Sequence, residues 1–310
     1  MSDVFDGELH KKFFEVVGSP EEGAGTSSRR ISQAKAAQAL GYSSGVISAY
    51  KNRTYNGDVK TLEKKIDAWL KREARRLDRL DVPVAETSTL EKIRRAITIA
   101  QDEGDIAVIV GESGTGKTTA LRQYAMESHS AILIEVDPSF SQVTLINEIA
   151  RTLGVEAKGG QNAVIERIIE TLTGRDAILI VDEADYLSDN ALELLRRVIN
   201  DKSHTGVVLV GLPRLEFKIR NLRKDHQQLQ SRIGVLVKLG SLKKADAEKI
   251  ITGVWKDIPK QIIESFIETA KGSTRTLVKL MGRVHQIMGI NNIDKPDVEV
   301  IAEAGELLMR

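Results

Sequence analysis

The apolar run IAVIV, residues 106–110, breaks off into GESGTGKTT, Gly111 to Thr119. A short β-branched run predicts a buried strand, the glycines after it a loop, and the residues beyond a helix. The pattern G-x-x-x-x-G-K-[ST] is met by Gly111, Gly116, Lys117 and Thr118. Glycines there let backbone N–H groups face inward, and the start of the helix adds partial positive charge. The whole stretch, Gly111, Glu112, Ser113, Gly114, Thr115, Gly116, Lys117, Thr118 and Thr119, therefore reads as a phosphate cradle. Lys117 is expected to reach the β- and γ-phosphates and Thr118 to hold Mg²⁺.

Further strand-like runs follow at 131–136, 177–182, 206–211 and 235–239, with helical patterns between them and a helix over 90–102 before the first strand. Strands alternating with helices predict a parallel sheet covered on both faces. The third strand ends in AILIVDEAD. Asp182 at its tip is placed to hold Mg²⁺ through water, and Glu183 to accept a proton from an attacking water. A simple kinase of this fold has no need of Glu183. No N-K-x-D guanine-reading pattern occurs, which favours adenine and hence ATP. After Gly240 the strands stop, and helical patterns run over 243–257, 259–271, 275–288 and 294–309.

Ahead of the α/β segment lies a short helical block. Ala36, Ala37 and Leu40 form one apolar face and Gly41 ends that helix. Ser43 or Ser44 caps a second helix with Val46, Ile47 and Tyr50 inward, and a third helix puts Leu62, Ile66, Trp69 and Leu70 on one side. The layout is helix-turn-helix. Ser44, Ser48, Lys51, Asn52 and Arg53 occupy its second helix and that helix's end, the usual groove reader. Residues 29–80 carry thirteen Lys/Arg against five Asp/Glu, a local footprint for polyanions inside a chain of net charge +1. The domain plan is a flexible arm over 1–28, a helix-turn-helix domain over 29–80, a linker over 81–89, an α/β domain over 90–240 and a helical lid over 241–310.

With 41% hydrophobic and 29% charged residues the composition is that of a globular protein. No run approaches a membrane span, and a cytoplasmic location is expected. The absence of cysteine excludes disulfides, thiolate metal sites and cysteine nucleophiles.

GESGTGKTT followed by LIVDEAD and a helical C-terminal unit resembles the AAA+ ATPases. The resemblance implies sheet order 5-1-4-3-2, a lid formed by the helical unit, and ATP bound between neighbouring subunits. It also implies an arginine finger before the last strand, where QLQSRI places Arg232, and a nucleotide-sensing lid arginine, where GSTRTL places Arg275. One departure stands out. The family commonly has a polar residue at the end of the fourth strand, whereas this chain has Leu212 and Pro213. Arg214 is a candidate substitute, and hydrolysis is expected to be slow or dependent on DNA or a partner.

The order helix-turn-helix, minimal ATPase module, short lid, with ISAYKNRTYNGD, VDEADYL and SRI, resembles the phage Mu B transposition protein family, the target-selecting ATPases of transposons. That resemblance implies an ATP-dependent helical filament on double-stranded DNA, largely indifferent to sequence. The filament captures target DNA, activates a DDE-type transposase, and is disassembled by it, which underlies target immunity. Sequence-indifferent binding needs cations aimed at phosphates. Candidates in the α/β domain are Arg151, Lys158, Arg214, Lys218, Arg220, Arg223 and Lys224. Competing readings are a helicase loader of the same superfamily and an ATP-sensing helix-turn-helix transcription regulator.

Overall fold

The computed structural model describes residues 5–18, 31–77, 79–221 and 228–308. The chain divides into two compact units, Met1–Arg79 and Leu80–Arg310.

The first unit is all helical: α1 (Gly7–Val16), α2 (Gln33–Leu40), α3 (Ser44–Lys51) and α4 (Val59–Leu77). α2 closes at Gly41 in the left-handed region, as its sequence predicts, and Ser43 rather than Ser44 caps α3 by accepting the Val46 N–H. Ile47 and Tyr50 of α3 point into a core with Ala36, Leu40, Leu62, Ile66 and Trp69. The flexible arm expected over 1–28 is corrected over 7–16. Asp6 caps α1 by accepting from Glu8 and Leu9 N–H, and Phe13 and Val17 are buried in the same core. The Phe13 ring meets Trp69 edge-on at 5.5 Å. The Gly/Ser-rich stretch that follows, GSPEEGAGTSS, makes the whole segment read as an arm, but one apolar face is enough to dock this helix.

The second unit is built on five parallel strands, β1 (Ile106–Gly111), β2 (Ala131–Glu135), β3 (Ile178–Asp182), β4 (Gly206–Gly211) and β5 (Ile233–Leu239), in the order β2-β3-β4-β1-β5. This is the expected 5-1-4-3-2 sheet. Side chains alternate between two cores. Val108, Val110, Leu179, Val181, Val207 and Leu209 face α7 (Gln142–Leu153), α8 (Gln161–Leu172) and α9 (Asp189–Leu194). Ala107, Ile109, Ile178, Ile180, Val208 and Val210 face α5 (Ser88–Glu103) and α6 (Lys117–Glu127). α9 runs through a π-helical stretch, Leu195–Asn200, into α10 (Asp201–Ser203); α11 (Pro213–Arg220) follows β4, and α12 (Gln228–Ser231) precedes β5.

The lid is α13 (Lys244–Val254), α14 (Lys260–Ala270), α15 (Thr274–Asn291) and α16 (Val298–Glu306), packed on its own core around Phe266, Leu280 and Met281. The linker expected over 81–89 behaves otherwise. Leu80, Val82 and Ala85 pack against the lid core, Lys249 Nζ donates to the Glu86 carbonyl, and α5 already starts at Ser88. Ser88 is tied to the lid by its N–H and hydroxyl, both donated to the buried Asp246 carboxylate at 2.9 and 2.6 Å. Among the described residues no helix is long and apolar enough to cross a membrane.

Candidate nucleotide-binding site

β1 delivers the Gly-rich loop to the carboxyl edge of the sheet, where a parallel sheet of this kind binds ligands. α6 begins at Lys117 with Gly116 as its cap and no side chain occupying the first-turn N–H groups, so those donors stand ready for an anion. Gly114 has φ +84, and a Cβ there would lie 2.9 Å from Ser273 Oγ and 3.1 Å from Arg275 Cβ. Only glycine lets the lid close this tightly on the loop. The Arg275 N–H donates to the Gly114 carbonyl at 3.1 Å, and Arg275 Nη1 donates to Ser113 Oγ at 3.0 Å. Thr115 is buried and donates to the Glu112 carbonyl.

Lys117 Nζ donates to the Gly111 and Glu112 carbonyls at 2.7 and 3.0 Å. Its pKa is lowered, chiefly by burial, against the opposing pull of Asp182 and Asp185. A half-desolvated ammonium held by neutral carbonyls is a good partner for a polyanion, which would restore the charge balance. The Thr118 hydroxyl donates to Asp182 Oδ2 at 2.6 Å. A hydroxyl and a carboxylate so close form a hard oxygen pair, the donor chemistry Mg²⁺ takes beside phosphate oxygens. Asp182 Oδ1 accepts the Glu183 N–H at 2.9 Å. Glu183 itself has φ 56. A non-glycine residue there costs about 1–3 kcal/mol, a strain concentrated at functional sites, and here it leaves the carboxylate exposed at the cleft.

Ser113, Gly114, Lys117, Thr118, Asp182 and Glu183 line one cleft of about 440 Å³ with Thr274, Arg275, Val278 and Lys279 of the lid and Gly211 and Leu212 at the end of β4. Thr274 and Lys279 escape sequence reading, because a lid helix does not announce which face it turns to a loop 160 residues away. A second cleft of about 250 Å³ adjoins it, mostly apolar, with walls from Val82, Pro83, Leu90, Leu242, Ile250 and Val278. Thr115, Gly116 and Thr119 form its border with the phosphate loop. The segment that reads as a linker is thus one wall of a slot suited to a flat apolar ring.

Asp185 is a further residue that sequence reading missed. It follows Glu183 in the turn Ala184–Tyr186, its side chain is 2% exposed, and it lines the larger cleft. Oδ1 accepts the Leu212 N–H at 3.1 Å and Oδ2 accepts from Arg214 Nε at 2.5 Å. Arg214 also lies 4.7 Å over the Tyr186 ring. Arg232 sits apart. It precedes β5 at the opposite edge of the sheet from the loop, about 20 Å away at strand rise, with Nε 3.1 Å from Asp201 Oδ1. Asp201 also pairs with the buried Arg196, which binds Glu193 and Gln228.

The candidate DNA contacts are scattered. Arg151 at the end of α7 pairs with Glu148, Lys158 with Glu156, Arg214 with Asp185 and Arg220 with Glu216. Lys218 donates to the Leu187 carbonyl. Arg223 and Lys224 lie outside the described residues. In the first unit, Ser44, Ser48, Lys51, Asn52 and Arg53 are all exposed, and among the described residues Lys51 and Arg53 form no ion pair.

A five-stranded sheet in this order, a glycine-rich loop opening α6, paired acids at the end of β3 and a helical lid closing on the loop define an AAA-type ATPase. Residues 100–219 match the AAA domain family. Over 256 residues the chain is 30% identical to the Mu-like prophage FluMu DNA transposition protein B of Haemophilus influenzae, covering 79% of this chain and 89% of that protein. It is 31% identical over 221 residues to the ATP-dependent target DNA activator B of Escherichia phage D108 and 30% identical over 221 residues to that of Escherichia phage Mu, each covering 70% of both chains. The chain belongs to this transposition protein B family. Among solved structures, the Aeropyrum pernix ORC2 protein superposes with a TM-score of 0.56 at 14% identity, covering 73% of this chain and 70% of that one. A Drosophila ORC chain from a DNA-bound structure gives 0.54 at 17%, covering 75% and 64%. At such identities the likeness is one of fold.

Proposed function

We propose that this protein is an ATP-dependent DNA-binding ATPase, largely indifferent to sequence, that captures duplex target DNA and activates a DDE-type transposase. The observation that carries the reading is a cleft lined by the Gly-rich loop, Asp182, Glu183 and Arg275 in a chain of the transposition protein B family. ATP lies with its base in the apolar slot beside Val82 and Ile250 and its phosphates on the loop Gly111–Thr119. Lys117 and Arg275 bind the phosphates. Thr118, and Asp182 through water, hold Mg²⁺, which when bound offsets phosphate charge. Glu183 takes a proton from the attacking water. The site is half of an interface: Arg232, too far from its own loop, acts on the nucleotide of a neighbouring subunit, so ATP joins subunits into a filament on DNA and hydrolysis releases them.

Duplex phosphates are met by Lys51 and Arg53 with Ser44, Ser48 and Asn52 in the helix-turn-helix, and by Arg151, Lys158, Lys218 and Arg220 in the ATPase unit; Arg214, held on the buried Asp185, is not counted among them. The test is retention on random-sequence duplex with ATP, ADP or no nucleotide, followed by strand transfer with the cognate transposase. The reading requires retention in ATP alone, competed equally by unrelated duplexes, and stimulated strand transfer. Retention on one operator sequence would point instead to a transcription regulator.

A further inference from the structure

β4 runs into the nucleotide cleft without bringing it a polar side chain. Gly211 ends the strand, Leu212 caps α11, Pro213 opens it, and Gly211 and Leu212 both line the cleft. A water that attacks phosphorus has two O–H groups. With Glu183 accepting from one, the water still turns about that hydrogen bond unless something accepts from the other, and misorientation is costly to rate. The strand end offers no acceptor side chain for it.

The turn after β3 does. The structure is built around the Asp185 carboxylate at that spot. Leu212 N–H and the Arg214 guanidinium both reach it, Arg214 Nε and Nη2 each at 2.5 Å from Oδ2. Tyr186 beneath Arg214 fixes the guanidinium plane. Gly211 belongs to the same fit, since a Cβ there would fall 2.4 Å from Asp185 Oδ1. A carboxylate 2% exposed is expensive unless paired, and a surface aspartate would serve equally well merely to join a turn to a helix. Two features suit this one to water. Oδ1 carries a single N–H and keeps acceptor capacity for a second donor, while the guanidinium occupies Oδ2. Arg214 cancels its charge, so it stands near a γ-phosphate without the repulsion a bare carboxylate would meet.

We propose that Asp185 holds the attacking water together with Glu183, in place of the polar strand-end residue that this chain lacks, and that Arg214 is the positioning residue that neutralises and aims Asp185. The inference rests on the ATPase reading above. In the step, the water oxygen forms a bond to the γ-phosphorus while the bond from that phosphorus to the bridging oxygen breaks, its electron pair leaving on ADP. One water proton passes to Glu183. The other, held by Asp185 during attack, stays on the new phosphate, and Asp185 takes no proton.

The experiment measures steady-state ATP hydrolysis with duplex DNA, affinity for a fluorescent ATP analogue, and melting temperature on the full chain. Asp185→Ala should lower kcat about 100-fold with analogue affinity within about twofold of the parent. Arg214→Ala, at a half-exposed position that leaves the core intact, should lower kcat in the same direction but less, and Asp185→Ala/Arg214→Ala no further than Asp185→Ala. Adding Leu212→Asn to Asp185→Ala restores a polar group at the strand end and should recover most of the rate, which no purely structural role predicts. Unchanged kcat in both single variants, affinity falling in parallel with kcat, or no recovery with Leu212→Asn overturns the proposal. Should Asp185→Ala melt below assay temperature, Arg214→Ala and the double variant decide it by the same criteria. A parent protein that binds the analogue but never hydrolyses ATP overturns the ATPase reading itself, a different result from a parent-like rate in the variants.

Discussion

Arg232 is bound to Asp201, its Nε 3.1 Å from Oδ1, at the edge of the sheet remote from the phosphate loop of its own chain. Asp201 is shared with the buried Arg196, so an Arg232 that leaves it for a neighbour's phosphate leaves no carboxylate stranded. Arg232→Ala should therefore keep nucleotide affinity and lose hydrolysis on the order of 10³-fold. Mixed with Glu183→Gln subunits it should regain measurable turnover at composite sites. A mixture as inactive as either variant alone would show that the finger does not act in trans.

Lys117 fixes the pH response of nucleotide binding. Burial lowers its pKa in the free protein, and bound phosphates favour the ammonium and raise it again. Between the two values binding takes up a proton. Affinity for an ATP analogue should accordingly be flat below the lowered value and decline as pH rises through it. Lys117→Arg, which stays charged, should abolish the slope even if it weakens binding. Titration across the alkaline range checks both.

The hydrogen bond from Thr118 to Asp182 at 2.6 Å predicts a shared dependence on Mg²⁺. Thr118→Ala and Asp182→Asn should each raise the Mg²⁺ concentration for half-maximal ATP hydrolysis about 10- to 100-fold, with ATP-analogue affinity in EDTA changed much less. A shift confined to metal-free affinity would place these side chains in phosphate binding alone.

Phe13 belongs to the core of the first unit, so Phe13→Ala should destabilise that unit by about 3–5 kcal/mol. Hydrogen exchange should then quicken in α2, α3 and α4 while the strands of the second unit keep their protection. Unchanged exchange in the first unit would mean that α1 is dispensable to it.

The three central strands β1, β3 and β4 were readable because each is a short apolar run that the sheet buries on both faces, and the loop because glycine spacing and a strand–helix context specify it together. β5 extends two residues further back, to Ile233, because Gly234 interrupts the apolar run. What escaped reading depends on tertiary contact. Val82 and Pro83 have the composition of a linker and become a wall only because the lid folds onto them. Asp185 looks like one more acid in a turn; its role turns on Gly211 and Leu212, which are far along the chain and adjacent in the sheet. Arg214 reads as a basic residue free for DNA, and the same contact ties it inward.

The pairing of Arg151, Lys158 and Arg220 with carboxylates turns any grip on DNA by these side chains into a partner exchange. Each phosphate they gain releases an internal acid, which then gathers cations from solution and offsets part of the counterion release that drives association. Lys51 and Arg53, which form no ion pair among the described residues, carry no such debt. The logarithmic salt dependence of duplex binding should be shallower than a count of basic side chains implies, with Lys51→Ala and Arg53→Ala flattening it more per residue than Arg220→Ala.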